Sequence, residues 1–166
     1  VSMDFDCSDY LYITDELNHR ITIYDVTGVV QNSWGEFGKQ EGKLNGPAGI
    51  AIDSDKNVYV VDQHNHRVQK FTSDGEFLFG WGGLGNGMGE FNMPWGITLD
   101  SCGQIYVADW RNDRIQKFDP AGQLIECFGE SGDAERQFHR PSSVAVDSEG
   151  YIYVSDWGNE RVQILG

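Results

Sequence analysis

The chain has 166 residues, with 26 acidic against 12 basic side chains and a net charge of −14. That balance disfavours generic binding to nucleic acid or an anionic membrane, which relies on clustered Lys and Arg. The 13% aromatics and 21 glycines belong to a globular protein, and no apolar run approaches the ~18 residues of a membrane span, which argues against membrane insertion.

Taken in chain order, the elements recur every 47 residues without an insertion. The expected organisation is one repeat region, 1–166, built of units 1–46, 47–93, 94–140 and a shorter 141–166. A fixed period of this length signals an array of equal supersecondary units, none of which buries its apolar face alone. The first unit opens on VSMDFD, which reads as mid-domain sequence aligned with a first strand and shows no signal peptide. Tyr12, Asp15, Asn18 and Arg20 then set phases that return as Tyr59, Asp62, Asn65 and Arg67, as Tyr106, Asp109, Asn112 and Arg114, and as Tyr153, Asp156, Asn159 and Arg161.

In the second unit, four short runs rich in Val, Ile, Phe and Tyr alternate with turn residues. The spacing predicts strands near 48–53, 58–62, 67–71 and 75–81, with no helical period. Asp53, Asp100 and Asp147, with Asp6 in phase, are expected to close Asx-type turns after the first strand. Gly28, Gly75 and Gly122 open the fourth strand, where a positive φ suits glycine. Trp34, Trp81 and Phe128, each followed by glycine, offer a large ring to pack between neighbouring units. Four strands per repeat of this length is the signature of an all-β propeller with four-stranded antiparallel blades. The Asp and Arg five apart, Asp15 with Arg20, Asp62 with Arg67, Asp109 with Arg114 and Asp156 with Arg161, flank the turn between second and third strands. A pair repeated four times reads as structural, each fixing its hairpin by a charge-assisted hydrogen bond.

The stretches VDQHNHRVQKFTSDG, ADWRNDRIQKFDPAG and SDWGNERVQILG resemble NHL repeats, with Asn65, His66 and Arg67 at the triplet that names the family. Linkers such as GWGGLGNGMGEFNMPWGITLD are similar to that family as well. The resemblance implies a propeller, usually six-bladed, serving most often as an interaction module. About four blades are present, so the ring is expected to be completed by further blades or by self-association with another chain.

Function is expected where the turns between second and third strands and the linkers between units meet on one face. There the fixed Asp, Asn and Arg surround changing residues. These include Glu16, Leu17 and His19, then Gln63, His64 and His66, then Trp110, Arg111 and Asp113, then Trp157, Gly158 and Glu160. The candidate binding residues are Trp95, Trp110, Arg111, Trp157, His64, Arg136 and Arg140, a composition typical of binding hot spots. The bland alternative is that the rings cover strand ends. His19, His64, His66 and His139 do not assemble a zinc shell in sequence, and no D-x-D-x-D-G loop suggests calcium, so neither metal nor cofactor is expected. Cys7, Cys102 and Cys127 are widely spaced and form no C-x-x-C pair, which argues against a zinc site or a disulfide framework. No catalytic motif can be assigned.

The reading that follows is a module presenting its loop face to a protein or peptide partner. An alternative is a metal-dependent lyase or lactone hydrolase, as related propellers imply, with its site on other blades. The inner-strand segments GIAID, GITLD and SVAVD, apolar or small, speak against a channel metal in these blades. RNA binding by the loop face is a third reading, supported only by Arg111, Arg136 and Arg140.

Overall fold

A computed structural model describes residues 1–166. Alternating apolar runs fold into four antiparallel sheets whose strands lie in chain order. The first contains β1 (Met3–Phe5), β2 (Leu11–Asp15), β3 (Arg20–Tyr24) and β4 (Val30–Trp34). The second contains β5 (Pro47–Ile52), β6 (Val58–Asp62), β7 (Arg67–Phe71) and β8 (Phe77–Gly82). The third contains β9 (Pro94–Leu99), β10 (Ile105–Asp109), β11 (Arg114–Phe118) and β12 (Leu124–Phe128). A short parallel pair, β13 (Glu130–Ser131) with β14 (Gln137–Phe138), closes the next linker. The fourth sheet contains β15 (Pro141–Val146), β16 (Ile152–Asp156) and β17 (Arg161–Leu165). These are propeller blades, and the sheets do not close into a ring.

The core lies between blades, as expected when no unit can bury its own face. Between the first two blades, Tyr12, Ile21 and Ile23 pack on Ile50, Val58, Val60 and Phe71, with Leu44 of the linker filling the seam. Phe91 and Phe138 occupy the same position at the next two seams. The ring at the end of the fourth strand joins each seam: Trp34 lies 4.9 Å from Phe71, and Trp81 lies 5.6 Å from Phe118. Gly75 is needed beneath Trp34, because a Cβ at Gly75, whose φ is +87°, would overlap the indole. On the last sheet the equivalent surface is open. Val162 is 65% exposed, whereas its counterparts Ile21, Val68 and Ile115 are fully buried.

The first-strand aspartates close the expected turns. Asp53 Oδ1 accepts the amides of Asp55 and Asn57 at 3.0 and 2.8 Å, and Asp6, Asp100 and Asp147 do likewise. Burial pushes the Asp53 carboxyl up, but the donors of Asn57 and the Lys70 ammonium more than offset it and hold it below the ordinary range. One difference from the sequence reading is helical. Gln63–Asn65, Trp110–Asn112 and Trp157–Asn159 each wind one 3₁₀ turn, and each ends on a left-handed residue, His66, Asp113 or Glu160. A three-residue turn is too short to leave a helical period in sequence.

Candidate functional site

The repeated Asp and Arg sit opposite each other in strand register, as Asp15 with Arg20, Asp62 with Arg67, Asp109 with Arg114 and Asp156 with Arg161. Their role is wider than fixing a hairpin. Arg114 Nε donates to Asp109 at 2.8 Å, while Nη1 and Nη2 donate to the carbonyls of Asn86, Gly87 and Glu90 in the linker from the preceding blade. Asn112 reaches the Gly85 carbonyl, and Asp109 Oδ1 accepts the Asn92 amide at 2.8 Å. Gln116, fully buried, donates to the Glu90 carbonyl and accepts the Gly89 amide. The set recurs with Asn65, Arg67 and Gln69, and with Asn159, Arg161 and Gln163. The site therefore consists of linkers stapled rigidly to the blade that follows them. Arg20 and Asp15, in the first blade, form the same ion pair at 3.0 Å, and both are more exposed.

A second fastener crosses each seam. His19 Nδ1 accepts the Gly46 amide, His66 Nδ1 accepts the Met93 amide, both at 3.0 Å, and Asp113 accepts the Arg140 amide at 2.7 Å. Burial, together with the charges of His64 and Arg111, pushes the His66 imidazole below its usual pKa, which suits a neutral acceptor. The sequence reading left these positions among the variable face residues. The structure makes them latches between blades, and the difference arises because their partners are backbone amides 27 residues away, which no side-chain pattern records.

The three candidate tryptophans come together. Trp95, beginning the inner strand of the third blade, meets Trp110 edge-on at 5.7 Å between ring centroids. Trp95 and Trp157 are 43% and 59% exposed, and both line a cavity of about 310 Å³ with Ser2, Gly49, Gly96, Ser142 and Ser143. That volume falls at the small end of ligand sites. Trp110 is half-buried, not fully exposed, because the guanidiniums of Arg111 and Arg140 stand over its ring at 5.4 and 5.1 Å.

Two candidates stand apart from this group. His64 is exposed and lies against the backbone at Gly46, on the first seam. The Arg136 amide bonds to Gln163 at 3.0 Å, and its side chain borders a separate pocket with Tyr106, Lys117 and Glu126. Arg136 thus belongs to the linker docked on the last blade and is not gathered with Trp110. The fully buried Gln69 and Gln116 and the half-buried Gln163 were missed in sequence because a glutamine following an apolar residue in a strand reads as solvent-facing. Their common phase, 47 residues apart, was the available signal. No group of three or more His, Cys, Asp or Glu is arranged to hold a metal ion.

No curated protein matches the sequence. Solved propellers do. A chain of a nidogen/laminin complex is 22% identical with a TM-score of 0.76, and 99% of this chain aligns with 59% of that one. A streptogramin B lyase is 16% identical with a TM-score of 0.74, covering 98% of this chain and 53% of the other. A virginiamycin B lyase from Staphylococcus aureus is 14% identical with a TM-score of 0.69, covering 99% and 54%. This chain thus spans about half the length of these solved chains, and the likeness is one of fold. The family model of the NHL repeat matches residues 44–71, 91–118 and 138–165, more than half of the 166 residues. Each match begins at the linker residue that fills a seam, Leu44, Phe91 or Phe138, and ends with the third strand of the next blade. The matched unit therefore contains a seam filler, an Asp, Asn, Arg and Gln staple and the three strands that carry it, and by that unit the chain belongs to the NHL-repeat family.

Proposed function

We propose that the face carrying the 3₁₀ turns and the linkers is a protein- or peptide-binding surface, and that the chain acts as an interaction module. The observation that carries this reading is that Trp95 and Trp157 line one cavity while Trp110 packs edge-on against Trp95. Large exposed rings held together on a rigid frame are favoured where a partner excludes water. Rigid loops also lower the ordering cost of binding. A protein complex among the solved relatives, nidogen with laminin, lends support at the level of the fold.

The lyases among those relatives suggest catalysis in the same cavity as a second reading. Its lining of tryptophan, serine and glycine residues supports the binding reading. The test is the affinity of a partner recovered with the intact chain, measured by calorimetry. Trp157→Ala should weaken it by ~2 kcal/mol or more, about thirtyfold, while the thermal melt stays unchanged. Unchanged affinity in both Trp157→Ala and Trp95→Ala would place the partner elsewhere and remove the proposal.

A further inference from the structure

We infer that the partner segment accepted here is an acidic peptide. Its carboxylate meets Arg111 and Arg140, and an adjacent apolar side chain enters the cavity between Trp95 and Trp157. The inference rests on the reading of this face as a peptide-binding surface.

The argument starts from charge. Of the 12 Lys and Arg side chains, seven form ion pairs with Asp or Glu: Arg20, Lys43, Lys56, Arg67, Lys70, Arg114 and Arg161. Five cations remain without a carboxylate although the chain has 26 acids. Two of these five, Arg111 and Arg140, share a single indole, that of Trp110. An aromatic ring attracts an exposed guanidinium only weakly. It does not neutralise either cation. Asp113, in the same turn, accepts the backbone amide of Arg140 and pairs with neither guanidinium.

The geometry suits a carboxylate. Guanidiniums bind planar oxyanions bidentately, and the two here both lie over the Trp110 ring. Arg111 is anchored through its amide to the Asn92 carbonyl at 3.0 Å, and Arg140 through its amide to Asp113. Trp95 connects this cationic spot to the cavity, since it touches Trp110 and lines the space beside Trp157. The net charge of −14 does not defeat the local attraction. At physiological ionic strength, exposed charges beyond ~8 Å are largely screened, whereas contact pairs are not.

The experiment selects a random dodecapeptide library, displayed on phage, against the intact chain and measures recovered peptides by fluorescence anisotropy. The expected peptides carry Asp or Glu next to an aromatic or aliphatic residue. Their affinity should fall at least tenfold in Arg111→Gln/Arg140→Gln and in Trp157→Ala. It should be unchanged in Lys39→Gln, which removes an unpaired cation elsewhere. Neutral or basic peptides that lose affinity in Trp157→Ala but not in the double arginine variant would overturn the acidic specificity and leave the peptide face standing. Peptides indifferent to Trp157, Trp95 and the arginines would overturn both. Oligouridylate binding that depends on the two arginines, without acidic peptides, would reassign the pair to nucleic acid and refute the inference.

Discussion

Removing Arg114 tests whether the staple holds the blades together. The side chain is 11% exposed and its partner Asp109 is fully buried, so Arg114→Ala breaks a buried ion pair and three bonds to linker carbonyls. Breaking a buried pair costs ~3 to 5 kcal/mol. The lower end applies here, since Asp109 keeps donors from Asn92, Asn112 and Gln116, and the freed linker carbonyls can turn to water. About 3 kcal/mol should lower the melting temperature by roughly 6 to 12 °C in a chain of this size. Two controls share its chemistry without its burial. Arg20→Ala removes the same pair where both side chains are solvated and should cost below ~1 kcal/mol. Arg111→Ala removes an exposed cation from the adjacent turn and should cost no more than ~0.5 kcal/mol.

The loss should also depend on pH. Burial already pushes the Asp109 carboxyl above its ordinary value, against the pull of Asn92, Asn112 and Arg114, so losing Arg114 pushes it further. A group raised on folding penalises the folded state only once its carboxylate forms. The penalty is therefore absent below the unfolded value of ~3.9 and grows as pH rises through the folded one. Urea melts of Arg114→Ala and wild type should accordingly differ less at pH 4.5 than at pH 7.5. Equal destabilisation by Arg114→Ala, Arg20→Ala and Arg111→Ala, or a pH-independent loss, would refute the assignment of a buried staple.

Three further outcomes follow from the seams. His66→Asp should preserve the latch to Met93 as Asp113 preserves its own, while removing a pH response. The imidazole is held below its usual value by burial, so its contribution is present above the unfolded ~6.5 and is lost as pH falls through the folded value. Melts between pH 5 and 7.5 should show a slope in wild type that flattens in the variant, and an unchanged slope would deny the latch. Gly75→Ala and Gly28→Ala both place alanine at a positive φ, +87° and +81°, costing ~1 to 2 kcal/mol each. Only Gly75 lies under Trp34, so its variant should lose a further ~1 to 3 kcal/mol from overpacking, and equal denaturation midpoints would argue that the indole is not fixed there. Trp110→Ala, at a half-buried ring beneath two guanidiniums, should destabilise the fold more than Trp157→Ala, and the reverse order would mean that Trp157 is the packing residue.

Much of the fold was legible because its determinants are local. Strands near 58–62 and 67–71 were read from β-branched runs bounded by turns, and the structure gives Val58–Asp62 and Arg67–Phe71. The Asp and Arg pairs were visible because both partners belong to one hairpin. The hydrogen bonds of Arg114 to Gly87 and of Asn112 to Gly85 were not, since their acceptors are carbonyls that any residue supplies. The same blindness hid the latches of His19, His66 and Asp113. Of the proposed site, Trp110 and Trp157 share a phase and Trp95 follows a repeat proline, so blade geometry let the sequence direct all three toward one end. Arg136 was misplaced beside them because a linker is not straight: its path folds back through β13 and β14 and docks on Gln163.

The stapling has a direction, and that bears on how the protein is made. Each linker is gripped by an arginine 24 to 28 residues further along the chain, as Lys43 and Gln40 are by Arg67. A blade leaving the ribosome therefore cannot secure its own exit segment. It waits, with its seam exposed, until the second hairpin of its successor has been synthesised. At translation speeds of ~5 to 20 residues per second, that interval is on the order of one to five seconds. Maturation is thus vectorial, with completed order trailing synthesis by about half a repeat. Chaperone demand should peak at regular intervals along the message, and rare codons just before each Asp, Asn and Arg turn would prolong the exposed state of Leu44, Phe91 and Phe138 more than rare codons anywhere else.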